Sequence, residues 1–405
     1  MIILYATAIA GFYMAWNIGA NDVANSMSSA VGARAITLRQ AIIIAAILNI
    51  VGASFVGGHV TETIRKGIVA VDMVGWPRVV MFGSFAALLS AAIWVFISSW
   101  RELPVSTTHS IVGAMIGFGI VATGFGGIRW IKVVAIITSW IISPFFSGLI
   151  AFLIFYLIRR WIIASDDPSR NLRLIGPFLV GLTFFIVIFS LLAKTPLGEK
   201  LTLNDLEVVG SSIMGGIVAF LLSRFLIRHY LAKRRGGDHV EEIFRRLQIM
   251  TSCYVAFAHG ANDVANAIGP VASVFSIATT GEVKAHIPVP TLLLVFGGVG
   301  ISIGILTWGY RVIKTVAFRI TRLTNTSGFS VDFGTATAVL LASKLGLPVS
   351  TTHAAVGAIV GVGLARGVEA VDFRVVRRII LFWLLTLPTA ALTAVLIFLF
   401  LNKLG

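Results

Sequence analysis

Gly19-Ala20-Asn21-Asp22-Val23-Ala24-Asn25 occurs a second time as Gly260-Ala261-Asn262-Asp263-Val264-Ala265-Asn266. Another string, Pro104-Val105-Ser106-Thr107-Thr108-His109, recurs as Pro348-Val349-Ser350-Thr351-Thr352-His353. Asp22 and Asp263 are 241 residues apart and His109 and His353 are 244 apart. The near agreement means that a whole structural half is duplicated, not merely a short peptide. Both pairs sit in strongly apolar surroundings. A carboxylate and two carboxamides are costly there unless they line a polar cavity.

Of the 405 residues 57% are hydrophobic and 12% charged, with a mean hydropathy of +0.95, against roughly 25% charged in soluble domains. The chain is therefore read as an integral membrane protein. About 12 apolar segments follow one another, near 2–31, 41–60, 79–99, 105–122, 132–158, 174–193, 207–228, 248–277, 290–311, 331–347, 349–365 and 379–401. Their lengths suit helices and exceed barrel strands of about ten residues. The formal charge of +15 falls in short connections between apolar runs, as positive-inside signals do, and gives no reason to expect nucleic acid. One cysteine, Cys253, excludes an internal disulfide and a cysteine metal cluster. No cofactor is expected. Met1 to Trp16 lacks a basic leader and is read as part of a retained first helix.

The most basic connection, Arg224 to Arg246, is expected in the cytoplasm. Counting outward places Arg34/Arg39, Arg159/Arg160 and Arg311/Lys314/Arg319/Arg322 on the same side, and the Lys194 to Glu207 loop and both termini outside. Seven segments precede the second heptapeptide helix, so the two enter from opposite faces. The expected fold is an all-α polytopic membrane protein with two inverted-topology repeats, broken helices and two helical hairpins. Its divisions are 1–160 (first repeat), 161–246 (linking helices and basic loop) and 247–405 (second repeat). The hairpins are 79–99/105–122 and 331–347/349–365, with proline at each joint. The short second hairpin favours re-entrant hairpins from opposite faces.

Asp22 and Asp263, each flanked by Asn at i−1 and i+3, suit a hard cation such as Na+ or a proton relay. Gly19 and Gly260 let the helix break there or approach another backbone. Ser106, Thr107, Thr108 and Ser350, Thr351, Thr352 place hydroxyls at helix N-termini, an anion cradle. No Lys or Arg lies in either motif. Two carboxylates near a bound anion thus call for cations or protons, and anion binding should depend on cation binding: symport. His109 and His353 are read as structural hydrogen-bonding groups. A Ser106/His109/Asp22 hydrolase lacks a nucleophile elbow, and duplicating an asymmetric triad makes little sense.

Together the four strings closely resemble the PiT family of inorganic phosphate transporters. The match continues through Val31 to Ala41, Glu62 to Gly67 and Ser327-Gly328-Phe329. The resemblance implies an inverted-repeat helical fold, uptake of inorganic phosphate with Na+ or H+, and a homodimer in the membrane lipid. Carried over by residue, it implies a sodium site at Asn21, Asp22, Asn262 and Asp263. The phosphate site falls on Asn25, Ser106, Thr107, Thr108, Asn266, Ser350, Thr351 and Thr352. Glu62 and Asp332 are the positional candidates for accessory acidic groups. The expected setting is the plasma membrane. A symporter of another oxyanion, particularly sulfate, is the nearest alternative. An intramembrane aspartyl protease using Asp22 and Asp263 is a remote one, since such a dyad needs neither the flanking Asn residues nor the hairpin tips.

Overall fold

Inside a membrane protein backbone polar groups are satisfied most cheaply within a helix, and the described chain is helical almost throughout. The computed structural model describes residues 2–58, 61, 68–69, 76–193, 201–233, 239–283, 289–344 and 349–404. Its helices are α1 (Ile2–Gly32), α2 (Leu38–Val56), α3 (Pro77–Trp100), α4 (Thr107–Thr123), α5 (Trp130–Ile158), α6 (Pro168–Leu192) and α7 (Asp205–Lys233). There follow α8 (His239–Thr280), α9 (Thr291–Trp308), α10 (Tyr310–Arg319), α11 (Asn325–Lys344), α12 (Thr351–Arg366) and α13 (Phe373–Leu404). Among the described residues the extended pairing is one isolated antiparallel bridge, Val69 with Ile128. Eight of the helices are long and apolar enough to cross a membrane, so the chain is an integral membrane protein.

Local signals place the helix starts. Thr37 and Gln40 form a capping box on α2, Pro77 occupies the first turn of α3, and Ser106 and Ser350 cap α4 and α12. The expected breaks fall at the joints of the hairpins α3/α4 and α11/α12. Neither heptapeptide interrupts its helix, since α1 and α8 run through them. The motif glycines serve close approach instead. A Cβ on Gly19 would overlap the Ile301 carbonyl of α9, and one on Gly304 the Trp16 carbonyl of α1. In the other half, Gly260 packs on the Asn49 carbonyl of α2 and Gly52 on the Phe257 carbonyl of α8.

The hairpin-return helices use the same device on α5 and α13. Gly357 and Gly361 of α12 face the carbonyls of Pro144 and Gly148, while Gly113 and Gly117 of α4 face those of Leu387 and Ala391. Small residues let the backbones meet where apolar burial supplies no drive between membrane helices. Each half therefore packs its α4-type helix on the other half's long helix.

Two expectations need correction. Arg224 to Arg246 is not a loop of that length: α7 continues to Lys233 and α8 starts at His239. At 42 residues, or ~63 Å, α8 outruns a ~30 Å hydrocarbon core, so its charged first turns extend beyond it. The stretch after 290 also divides at Gly309 into α9 and the amphipathic α10, which buries Val312, Ile313, Val316 and Ala317. Hydropathy does not separate them because a short helix with one apolar face reads as a polar loop.

Candidate functional site

The two hairpin tips meet in the protein interior. Thr108 Oγ1 donates to the Val349 carbonyl (3.4 Å) and Thr352 Oγ1 to the Val105 carbonyl (3.2 Å). Helices α4 and α12 therefore begin at one point with their N-termini turned towards each other. First-turn N–H groups have no backbone partner within a helix; those of His109 and His353 are capped by Ser106 and Ser350, and both positive dipole ends converge there.

The heptapeptide helices line this point with side chains that interlock across the halves. Thr107 Oγ1 donates to Asp22 Oδ2 (2.7 Å) and Thr351 Oγ1 to Asp263 Oδ2 (3.0 Å). Thr352 Oγ1 also donates to Asp22 Oδ1 (3.2 Å). Asn25 Nδ2 donates to Thr351 and Thr352 (3.1 and 3.0 Å), and Asn266 Nδ2 to Thr107 and Thr108 (3.2 Å each). Each carboxylate thus takes a hydroxyl from its own half, while each outer Asn reaches the hydroxyls of the other half. All of these side chains are buried, with Asp22 and Asp263 at 0% exposure.

His259, which the motifs do not include, completes the centre. Its Nε2 lies 2.8 Å from Asp263 Oδ2 and its Nδ1 2.6 Å from Asn49 Oδ1. Ligand atoms of Asp22, His259 and Asp263 all lie within 4.8 Å of one another. At that separation and an effective dielectric near 20, two carboxylates repel by about 3 to 4 kcal/mol. Such a set suits a small cation. The available signal was the comparison of the copies one position upstream, where Ile18 stands in the first and His259 in the second.

Other sequence-selected residues take different positions. Asn21 turns to the first hairpin tip, donating to Ser99 Oγ (2.9 Å) and the Leu103 carbonyl (3.1 Å) and accepting from Val105 N–H (3.0 Å). Asn262 donates to Asp263 Oδ1 (2.8 Å). Ser106 and Ser350 accept from His109 and His353 N–H as helix caps. The two imidazoles are packing wedges: His109 stacks on Trp140 and His353 on Trp383, each with ring centroids 3.6 Å apart. Asp332 is a third buried carboxylate, accepting from Ser29 of α1 and from Thr251 and Ser252 of α8. Ser29 lies seven residues beyond Asp22, ~10 Å along α1, so Asp332 joins the same two helices at another level. Glu62 lies outside the described residues.

A model of the phosphate transporter family matches residues 18–394. The chain belongs to that family. It is a phosphate transporter of the membrane and not an enzyme. It is 50% identical over 392 residues to a candidate phosphate permease of Pyrococcus horikoshii, covering 97% of this chain and 96% of that protein. Inorganic phosphate transporter 2-1, chloroplastic, of Arabidopsis thaliana is 39% identical over 422 residues, covering 97% and 71% respectively. Among solved structures, one titled "The sodium-dependent phosphate transporter" superposes with a TM-score of 0.94 at 46% identity and covers all of both chains.

Proposed function

We propose that the transporter imports inorganic phosphate with sodium through the buried centre between the hairpin tips. The observation that carries this reading is the placement of Asp22 and Asp263 against two converging helix N-termini through threonine hydroxyls. The hydroxyls and the Asn25 and Asn266 carboxamides here donate to the carboxylates, to backbone carbonyls and to one another; turned to an anion on binding, with the helix N–H groups, they are the donors a phosphate needs. The carboxylates repel that phosphate unless cations accompany it. Asp22, Asp263 and the neighbouring Asn262 are assigned to sodium, with His259 positioning Asp263. Thr107, Thr108, Thr351, Thr352, Asn25 and Asn266 are assigned to phosphate. The sodium dependence named for the similar solved structure supports the choice of ion. Asn21 holds the hairpin tip, and Asp332 is an accessory acidic group that ties α1, α8 and α11 together.

In proteoliposomes, an inward sodium gradient at equal pH drives uptake of radiolabelled phosphate, and a pH gradient without sodium does not. Uptake driven equally by protons alone would remove sodium from the scheme. In the same assay Thr107→Val and Thr351→Val each raise the phosphate concentration for half-maximal uptake roughly ten- to a hundredfold, the effect of losing one hydrogen bond to a charged ligand. An unchanged half-maximal concentration in both variants returns the hydroxyls to a purely structural role.

We further propose that 1–160 and 247–405 are inverted repeats joined through 161–246, with both termini outside the plasma membrane. Among the described residues seven helices precede α8, an odd number, and the reciprocal contacts at the hairpin tips support a two-fold exchange. Re-entrant hairpins entering from opposite faces would bring their tips together in this way. Single cysteines at Leu201 and Asp166, in a Cys253→Ser background, are expected to react with an impermeant maleimide from outside and inside respectively. Labelling of both from one side sinks the inverted topology.

A further inference from the structure

The turn of the first hairpin runs from the buried centre to the surface beside α10. Thr107 touches Asp22, Val105 and Leu103 are 0% and 5% exposed, and the next residue, Glu102, reaches solvent. Glu102 ends α3 in the left-handed conformation, at φ 59°, with Glu102 N–H on the Ser99 carbonyl and Leu103 N–H on the Ser98 carbonyl, both at 3.0 Å. Glycine is the usual residue at this place in a helix terminus, because any other side chain is strained there. In the sequence of the second copy, Leu345-Gly346-Leu347-Pro348 stands where the first has Arg101-Glu102-Leu103-Pro104. Arg34 and Thr202 share the left-handed backbone, but neither lies in a duplicated motif. A glutamate kept where the other copy carries glycine points to a use for its side chain. Glu102 Oε2 lies 3.8 Å from Arg319 Nη2, with both side chains about half exposed. Arg319 ends α10, which is seated on α1, where Gly32 meets the Ala317 carbonyl.

We propose that Glu102 and Arg319 form a releasable strap that holds the tip of the first hairpin closed over the site on the α10 side. Asn21 fastens the same turn from within, and release of both frees Thr107 and Thr108 to move away from Asp22. An exposed ion pair is weak, as a strap that must open in every transport cycle has to be. The inference rests on the buried centre being the transport site.

The test uses the full chain in proteoliposomes with Leu103→Cys in a Cys253→Ser background, reading its reaction rate with an impermeant maleimide applied to the α10 face. Glu102→Gln, Arg319→Gln and Glu102→Gly each raise that rate about two- to fivefold, the range expected for losing an exposed pair. The reversed pair, Glu102→Arg with Arg319→Glu, restores it. Raising salt accelerates labelling of the parent and leaves Glu102→Gln unchanged, because only the parent has a pair to screen. Rates that do not change in the single variants, or a reversed pair as fast as the singles, overturn the strap. Independently of the reporter cysteine, Glu102→Cys with Arg319→Cys, joined by a reducible bifunctional thiol cross-linker that spans the lost side chains, blocks phosphate uptake and regains it on reduction. Faster labelling with uptake indifferent to this cross-link would retain the strap and reject the centre as the transport site. An uptake block that reductant cannot reverse overturns the strap.

Discussion

Asp22→Asn and Asp263→Asn each abolish sodium-driven phosphate uptake while the protein still inserts and folds. The carboxamide nearly preserves shape and can still accept from Thr107 or Thr351, so the hairpin tips stay in place. What disappears is the charge that draws a cation into a site with two carboxylates within 4.8 Å of each other's reach. At an effective dielectric near 20, one such charge 4 Å from a cation contributes about 4 kcal/mol, a factor approaching a thousand in occupancy. Residual uptake should therefore fall below about 1% of the parent at sodium concentrations that saturate it. Normal sodium-coupled uptake by either variant would falsify the assignment. The two variants need not be equivalent at high sodium: Asp263 has His259 and Asn262 as partners, whereas Asp22 has the hydroxyls of Thr107 and Thr352.

Gly304→Ala is expected to destabilise the protein rather than to change what it binds. The new methyl group would meet the Trp16 carbonyl and the Ala20 amide of α1, all backbone atoms that no side-chain rotation can move aside. At the reciprocal surface Gly19 meets Ile301 and Ile305 of α9, so α1 and α9 must separate along the crossing that sets the position of Asp22. Overpacking of a well-packed core costs about 1 to 3 kcal/mol, and a backbone-to-backbone clash belongs at or above the top of that range. Purified in detergent, Gly304→Ala should show a melting temperature several degrees below the parent and a reduced monodisperse fraction. Gly210→Ala is the control. An added Cβ there has nothing within 4 Å, and alanine in place of an exposed helical glycine is neutral or stabilising by up to about 1 kcal/mol. Equal melting temperatures for the two variants would show that the α1/α9 crossing tolerates separation.

The duplicated strings disclosed the acidic helices, the hydroxylated tips and the two hairpins, because each depends on residues adjacent in the chain. Asp22 is conspicuous in an apolar run whatever it touches, and Ser106 after a proline announces a helix start. Contacts between copies were not legible in this way. Nothing in a linear repeat says that Asn25 reaches Thr351 and Thr352 and not Thr107 and Thr108, since the two sets are chemically identical. The same ambiguity hid Asn21, whose carboxamide is spent on the first hairpin turn. His259 escaped because it lies one residue before the motif, and α10 because ten residues with one apolar face resemble a charged connection.

From the sequence by itself came membrane character, helical class, the duplication and the chemical kinds of group at the centre. Composition, period and motif are local properties, and burial in lipid constrains each helix separately. The partnership of residues more than two hundred positions apart was decided by tertiary structure. Helices α4 and α12 each pack on the long helix of the opposite half, through glycine seams that admit backbone contact. That exchange turns the two helix N-termini to face one another, and only then do two distant carboxylates, four threonine hydroxyls and His259 share one buried volume.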